Sequence, residues 1–419
     1  MRVVINAQML PGLGGGTEQY LVGLVYGLGR LSDGPEEYIL IGHWRDSEWL
    51  RPYLGPNQRI VRGKPDQRER VKELLRPLLP AARTLRRLAR RLISGHHTPL
   101  PSVIHDSDGF YESFGGDVIH FPFQIFVRCA IPSIYNPHDL QHVHLPEFFT
   151  EEQITCRELG YRKACEHARA VVATSRAVKE DLVHSYGLEP AKITVIPVGA
   201  PTVLYESPTQ QLLGEVRQKY KLPERFALYP GQTWPHKNHQ RLLEAVHQLR
   251  ERHGILLNLV CTGRKNDFWS TLHDQILKRN LSGQVHFLGY LDGSELRALY
   301  RLSQFVVFPS LFEAGSFPVL EAFHESVPVA CSAIPPLQEY GGDAVLQFDP
   351  RSVESIVHAL LRLLSDSTLR STLRSRGQER IRFFTWERTG RAYRALYRKI
   401  AGRALSEEDR QLLTTGVMV

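Results

Sequence analysis

Two carboxylates dominate the chemistry that this sequence could do. Glu313 and Glu321 stand in the run from Phe308 to Phe323, FPSLFEAGSFPVLEAF. The apolar residues up to Phe308 predict the end of a strand, Gly315 a loop, and Pro318 the first turn of a helix. Glu313 then sits in the loop, near a helix N-terminus able to bind phosphate, and Glu321 about one turn inside the helix. A carboxylate in that second setting can accept a pair of hydroxyls such as those of ribose. The bland alternative is a loop acid and a helix-surface acid, both solvated. A cation of matching type lies upstream in ALYPGQTWPHKNH, residues 227–239. Here a strand should end at Pro230 and a helix start near Asn238, a natural N-cap. That order sets Lys237 at the mouth of a turn, beside free N–H groups, where a pyrophosphate would be neutralised. A lysine on a surface turn is the competing account.

Two further groups could join them. Gly14, Gly15 and Gly16 form a cluster after the first apolar run, ahead of Thr17 and Glu18. Glycines let a ligand approach backbone N–H groups, and the following helix would present its positive end there. A dinucleotide fingerprint needs glycine where Thr17 stands, so that motif fails, and a plain tight turn is the alternative. His138 and Asp139 fall at a strand end, where they could form an acid–base couple. With His142 and His144 nearby they could also be a fragment of a metal site, although no cysteine or further acid follows at ligand spacing. Asp106-Ser107-Asp108 has the form of a metal-binding DxD but lies in a polar stretch and reads as a turn.

Positioning such groups takes parallel sheets covered by helices, and the pattern supplies them. Short apolar runs alternate with helix-period segments almost throughout. Strands are predicted at 3–6, 38–42, 117–121, 131–136, 170–174 and 193–197, then at 226–230, 256–262, 284–288, 305–308, 328–332 and 345–348. Residues 198–223 carry turn residues and no clear strand, and read as a linker. Each half then has the strands of its own doubly wound domain: 1–200, and 201–384 as the second. In 385–419, Trp386, Tyr393, Leu396, Tyr397 and Ile400 predict one more amphipathic helix packing back toward the first domain, followed by a loose polar tail from Ser406.

The two acids have the E-x7-E spacing of glycosyltransferase family 4, and the chain resembles that family over nearly its whole length. Gly231 and Lys237 in their shared turn are similar to it, as are ATSRAVKED from Ala173, PHDLQHVHLP from Pro137, and Trp386 opening the last helix. The resemblance implies a GT-B fold, two Rossmann-like α/β domains facing each other across a cleft. The second domain would bind a nucleoside diphosphate sugar and the first an acceptor. It also implies retention of anomeric configuration. Glu321 would hold the ribose hydroxyls and Lys237 would neutralise the leaving diphosphate. Glu313 and the amides of Gly315, Ser316 and Phe317 would orient the donor sugar. His138, with Asp139, would face the anomeric centre or the sugar hydroxyls, and the loop 14–16 would close on diphosphate or acceptor. Many relatives have arginine directly after the glycine of the lysine turn; this chain has Gln232. Either Lys237 acts with helix N–H groups alone, or Arg264 or Lys265 substitutes. No metal or other cofactor is expected.

The rest of the composition narrows the setting. The chain has 419 residues, enough for two or three domains, and 23% charged residues, ordinary for a globular protein. Its five scattered cysteines suggest neither disulfides nor zinc. No apolar window is long enough to span a membrane and no signal peptide is visible, so a cytoplasmic location is expected, at the inner face of the membrane if the basic stretch binds there. The net charge of +8 is concentrated in Arg83, Arg86, Arg87, Arg90 and Arg91 of the stretch 81–94. On a helix these arginines share one face and Leu85, Leu88 and Leu92 the other. That is the form of a helix on an anionic membrane, or of an ordinary surface helix. No nucleic-acid motif accompanies it. The acceptor expected is a glycan or lipid-linked glycan of cell-envelope or polysaccharide synthesis. A sugar-nucleotide epimerase or phosphorylase of the same build, and a catalytically idle scaffold for glycan assembly, are the rival readings.

Overall fold

The computed structural model describes residues 1–12, 15–65 and 104–414. Gly14 and the basic stretch 81–94 lie outside the described residues. Among the described residues the strands of the first part are β1 (Arg2–Ala7), β2 (Glu37–Gly42), β3 (Gln58–Arg62), β4 (His105–Asp106), β5 (Val118–Phe121), β6 (Val127–Arg128), β7 (Ser133–Tyr135), β8 (Ala170–Ala173) and β9 (Ile193–Val195). Seven form one sheet in the order β3-β2-β1-β5-β7-β8-β9, and β4 pairs with β6 alone. The second part has β10 (Ala227–Pro230), β11 (Leu259–Thr262), β12 (Val285–Phe287), β13 (Phe305–Phe308), β14 (Val329–Ser332) and β15 (Val345–Phe348), in the order β12-β11-β10-β13-β14-β15. Among the described residues every pairing is parallel. Parallel strands are covered on both faces, which is why Val3, Val4 and Ile5, or Phe305 through Phe308, are continuous apolar runs with no exposed atom.

The helices that matter for the site are α1 (Gly16–Gly29), α2 (Arg176–Tyr186), α3 (His239–His253), α4 (Gly293–Leu302), α5 (Phe317–His324), α6 (Pro335–Gly341), α7 (Trp386–Ile400) and α8 (Glu407–Thr414). α7 returns to the first sheet and crosses α1. A Cβ on Gly23 would lie 2.0 Å from the Trp386 ring, one on Gly27 2.1 Å from the Trp386 carbonyl, and one on Gly390 2.7 Å from the Gly27 carbonyl carbon. The crossing is therefore backbone on backbone, with the indole seated in the gap and its N–H donating to the Ala200 carbonyl at 3.1 Å. A buried polar chain fastens the same helix underneath. Tyr397 meets His120 Nδ1 at 2.7 Å, His120 Nε2 meets Asn136 Oδ1 at 2.8 Å, and Asn136 Nδ2 donates to Tyr20 and Tyr393, each at 2.7 Å. Gly27→Ala should cost about 3 kcal/mol, an overpacking penalty in a contact that cannot relax around a side chain. Urea unfolding of the variant against wild type checks it; an unchanged midpoint would mean that the crossing is loose.

Four expectations need correction. Residues 198–223 are more than a linker, since Thr209 caps a helix over Gln210–Lys219. The segment after Ser406 is not loose through Thr414: α8 is docked by Arg398, which holds both Asp409 at 3.0 Å and Glu36 at 2.8 Å, and by Arg391 on Glu408 at 3.0 Å. Asp106 lies in the short strand β4 and pairs with Arg128, while Asp108 meets Lys64 at 3.3 Å. Asn238 occupies the N-cap position of α3 but does not cap it with its side chain. It adopts φ 59°, and its amide donates to the carbonyls of Pro309 and Pro350 at 2.9 and 2.8 Å.

Candidate active site

Both sheets reverse their winding direction, between β1 and β5 in one and between β10 and β13 in the other. In open parallel sheets, ligands bind beyond the carboxyl ends of the strands at such a point. The candidate residues leave these ends: the glycine cluster after β1, Gly231 to Lys237 after β10, and Glu313 to Phe317 after β13.

The lysine turn and the acid loop are built as one unit. Tyr229, fully buried in β10, donates its hydroxyl to the Lys237 carbonyl at 2.5 Å. The Leu311 N–H donates to the His236 carbonyl at 2.8 Å, and the Asn238 amide reaches Pro309 as above. The side chains then meet. Lys237 Nζ lies 2.6 Å from Glu313 Oε1, with both side chains largely screened from solvent at 18% and 13% exposure. Lys237 also sits 5.5 Å from the centre of the Phe308 ring. A largely desolvated ammonium beside a carboxylate is a place where a departing polyanion can be exchanged for the acid.

Ser316 caps α5 by accepting from the Val319 N–H at 3.3 Å, and Pro318 occupies the first turn as its sequence suggests. Glu321, on the next turn, is buried. Its Oε2 accepts from the Tyr300 hydroxyl at 2.6 Å. Desolvation raises its carboxyl to about 7, with the nearby Glu325 charge adding to the rise and the Tyr300 hydrogen bond opposing it. Neither acid is therefore a solvated surface group. Tyr300 carries no motif; only its place one helix earlier, on α4, makes it Glu321's partner.

Across the cleft stands the loop after β1. Gly15 has φ 52°, a conformation that suits glycine, and a Cβ there would lie 3.1 Å from Gln232 Nε2. A Cβ on Gly16 would be 3.9 Å from the Phe317 ring. The Arg264 guanidinium donates to the Gly12 carbonyl and lies 5.3 Å from the Tyr290 ring centre. Gln232, Arg264 and Phe317 thus face the glycine loop together. Lys265 does not join them: its ammonium sits 4.2 Å over the Trp269 ring. Gly231 lies tight against the Tyr229 ring and Gly315 against the Tyr340 hydroxyl, each at 3.1 Å from an added Cβ.

His138 has φ 67°, and its Nε2 lies 2.8 Å from the Pro122 carbonyl. A carbonyl only accepts, so Nε2 carries the proton. Burial lowers the ring's pKa, which leaves a neutral imidazole whose Nδ1 is an acceptor for a hydroxyl. Asp139 accepts from the Gln141 N–H at 3.1 Å, so these two residues are not arranged as a hydrogen-bonded couple. His142 is held by Glu158 at 3.2 Å and His144 by Asp181 at 2.7 Å. Among the described residues no group of three or more His, Cys, Asp or Glu could hold a metal ion.

Two family models match the chain in succession. The model described as Glycosyltransferase Family 4 matches residues 14–203, and that described as Glycosyl transferases group 1 matches residues 215–380. The O-antigen chain mannosyltransferase B of Escherichia coli is 28% identical over 60% of this chain and 66% of its own length. The alignment thus spans just under two thirds of that relative. Sucrose-phosphate synthase from Thermosynechococcus elongatus superposes with a TM-score of 0.68 at 20% identity, covering 96% of this chain and 99% of that one. HepE from Anabaena, solved in complex with UDP and glucose, gives 0.68 at 17% identity, covering 95% and 100%. At these identities the structures show the fold: the two-domain α/β arrangement is GT-B.

Proposed function

The chain belongs to glycosyltransferase family 4, and from that premise we propose that it moves a sugar from a nucleoside diphosphate sugar to an acceptor hydroxyl, with retention of anomeric configuration. The observation that carries the reading is the pair Lys237–Glu313 at 2.6 Å, one helix turn and a loop away from the buried Glu321. Glu321 accepts the ribose hydroxyls, a role that a desolvated carboxylate with one lone-pair site already taken by Tyr300 can fill. Lys237 neutralises the diphosphate as the glycosidic bond breaks, and this supplies most of the rate. Glu313 releases Lys237 to the phosphates and, with the amides from Gly315 to Phe317 and the neutral His138, orients the sugar. In place of the arginine common in relatives, Gln232 offers an amide donor. Arg264, at the glycine loop, adds the second positive charge. The reading has no metal step; of the DxD acids, Asp106 pairs with Arg128 and Asp108 with Lys64.

The acceptor side is the first domain, and a glycan or lipid-linked glycan of envelope polysaccharide synthesis is the acceptor we propose, reached from the cytoplasmic face of the membrane. An O-antigen mannosyltransferase among the relatives supports that class. Peripheral contact with an anionic membrane is proposed at the stretch 81–94; among the described residues no helix is long and apolar enough to cross a membrane.

Calorimetric titration with UDP, GDP and ADP tests the donor site. One of them should bind in the micromolar range, about −8 kcal/mol. Binding by none would return the scaffold reading. With the matching sugar nucleotide, transfer should depend on added acceptor and give product of unchanged anomeric configuration by NMR. Epimer formed without acceptor would instead mark an epimerase.

A further inference from the structure

The loop that carries Glu313 is gripped from the opposite side of the cleft. β8 ends at Ala173, and the next two residues, Thr174 and Ser175, are buried. Both hydroxyls donate to the Ala314 carbonyl, each at 3.0 Å. A carbonyl oxygen has two lone pairs, so the pair of donors saturates it. Ser175 also accepts from the Val178 N–H at 3.2 Å and so caps α2. The first N–H groups of that helix, on Arg176 and Ala177, donate to Glu339 of α6 at 2.7 and 3.2 Å. Its neighbour Tyr340 donates to the Thr174 carbonyl at 2.8 Å and accepts from the Val198 N–H at 3.3 Å. On the other flank of the acid, the Phe312 ring stacks on His144 at 5.5 Å between centroids. Ala314 itself packs against the apolar cluster of the first domain that includes Leu140 and Tyr135. Residues 312 and 314 are thus both fixed by first-domain groups, while Glu313 between them meets Lys237.

We propose that Thr174 and Ser175 are positioning residues: they set the Glu313 carboxylate against Lys237 only while the two domains are shut on each other, so that closure licenses the chemistry. The inference rests on the donor-site reading above. If the domains part, the Ala314 carbonyl loses both donors and the first turn of α2 loses its acceptor from Glu339. The loop then keeps its anchors within its own domain, Leu311 on His236 and Asn238 on Pro309, but loses those at Ala314. Glu321 is treated differently by the fold, because its hydrogen-bond partner Tyr300 belongs to its own domain. Nucleotide binding and turnover should therefore separate.

The test is the double variant Thr174→Val and Ser175→Ala in the full chain. Turnover at saturating donor should fall at least about tenfold, the scale of losing the partners of a buried acceptor, with the nucleotide Kd within about twofold of wild type. Ser175→Thr alone, which keeps both hydroxyls, should retain most of the rate. Glu339→Ala, which leaves both hydroxyls in place, should give a smaller loss with the same split. Independently of activity, hydrogen exchange should accelerate in the double variant across 312–316 and at the start of α2. Unchanged turnover with unchanged exchange overturns the proposal, and so does a loss of turnover matched by an equal loss of nucleotide affinity. If wild type binds no nucleotide but exchange still accelerates, the latch stands and the donor-site reading falls.

Discussion

Glu321→Gln should make the empty protein more stable at pH 8 while weakening its hold on nucleotide. The carboxyl is raised from 4.5 to about 7 by burial, so the folded state favours the proton. The sign follows from linkage. Whatever Glu321 contributes is present below its ordinary pKa and is lost as pH rises through 7, where a charge must be held in a desolvated place. Glutamine keeps the Tyr300 hydrogen bond and never ionises. At pH 8 the variant should gain about 3 kcal/mol, or about 6 °C and more in the melting midpoint of the second domain. At pH 4 the two proteins should melt together. Nucleotide affinity should meanwhile fall about tenfold to a hundredfold, since hydrogen bonds from ribose to a charged acceptor are replaced by weaker ones. Thermal melts at both pH values, run beside the titration, check both halves. A variant that is no more stable at pH 8, or that binds nucleotide as wild type does, removes Glu321 from the role assigned to it.

The second large effect is expected at Lys237. Replacing it with methionine keeps the stem over Phe308 and deletes only the charge. Turnover at saturating donor should drop about 10²- to 10³-fold, the scale seen when one preorganised donor to a developing anion is removed. Lys237→Arg should keep a fraction of the activity, because charge survives but geometry does not. The rate is read from nucleotide release. A loss smaller than tenfold would move the leaving-group role to Arg264, the other cation at the glycine loop.

Much of this candidate site is legible in the sequence, and the reasons are local. Strand–turn–helix punctuation at Pro230, Gly231, Gly315 and Pro318 told where the chain leaves each sheet, and hence where Lys237 and Glu313 stand. The apolar runs of the parallel strands did the same for the fold. Charged alternation hid β3, QRIVR, because an edge strand is half-exposed and lacks the continuous apolar run of its neighbours. Partnerships across long separations were not readable. Tyr300 reaches Glu321, and Thr174 reaches Ala314, through packing of helices and domains that no spacing encodes. The docked α8 was missed for the same reason: Arg398 and Asp409 look like ordinary surface charges until Glu36 is brought beside them. Asn238 has a capping residue type at a capping position, yet two carbonyls elsewhere take its amide.

The indole of Trp386, wedged between Gly23 and Gly27, also bears on how the protein is made. The first sheet is complete once residue 195 has left the ribosome, but the helix that covers α1 is encoded almost two hundred residues later. At roughly 5–20 residues per second, the nascent first domain waits for about 10–40 s with that groove and the Tyr20–Asn136 pair uncovered. During that time the second domain can fold as a unit. The chain therefore closes its first domain last, and the step that finishes it is also the one that ties the two domains together.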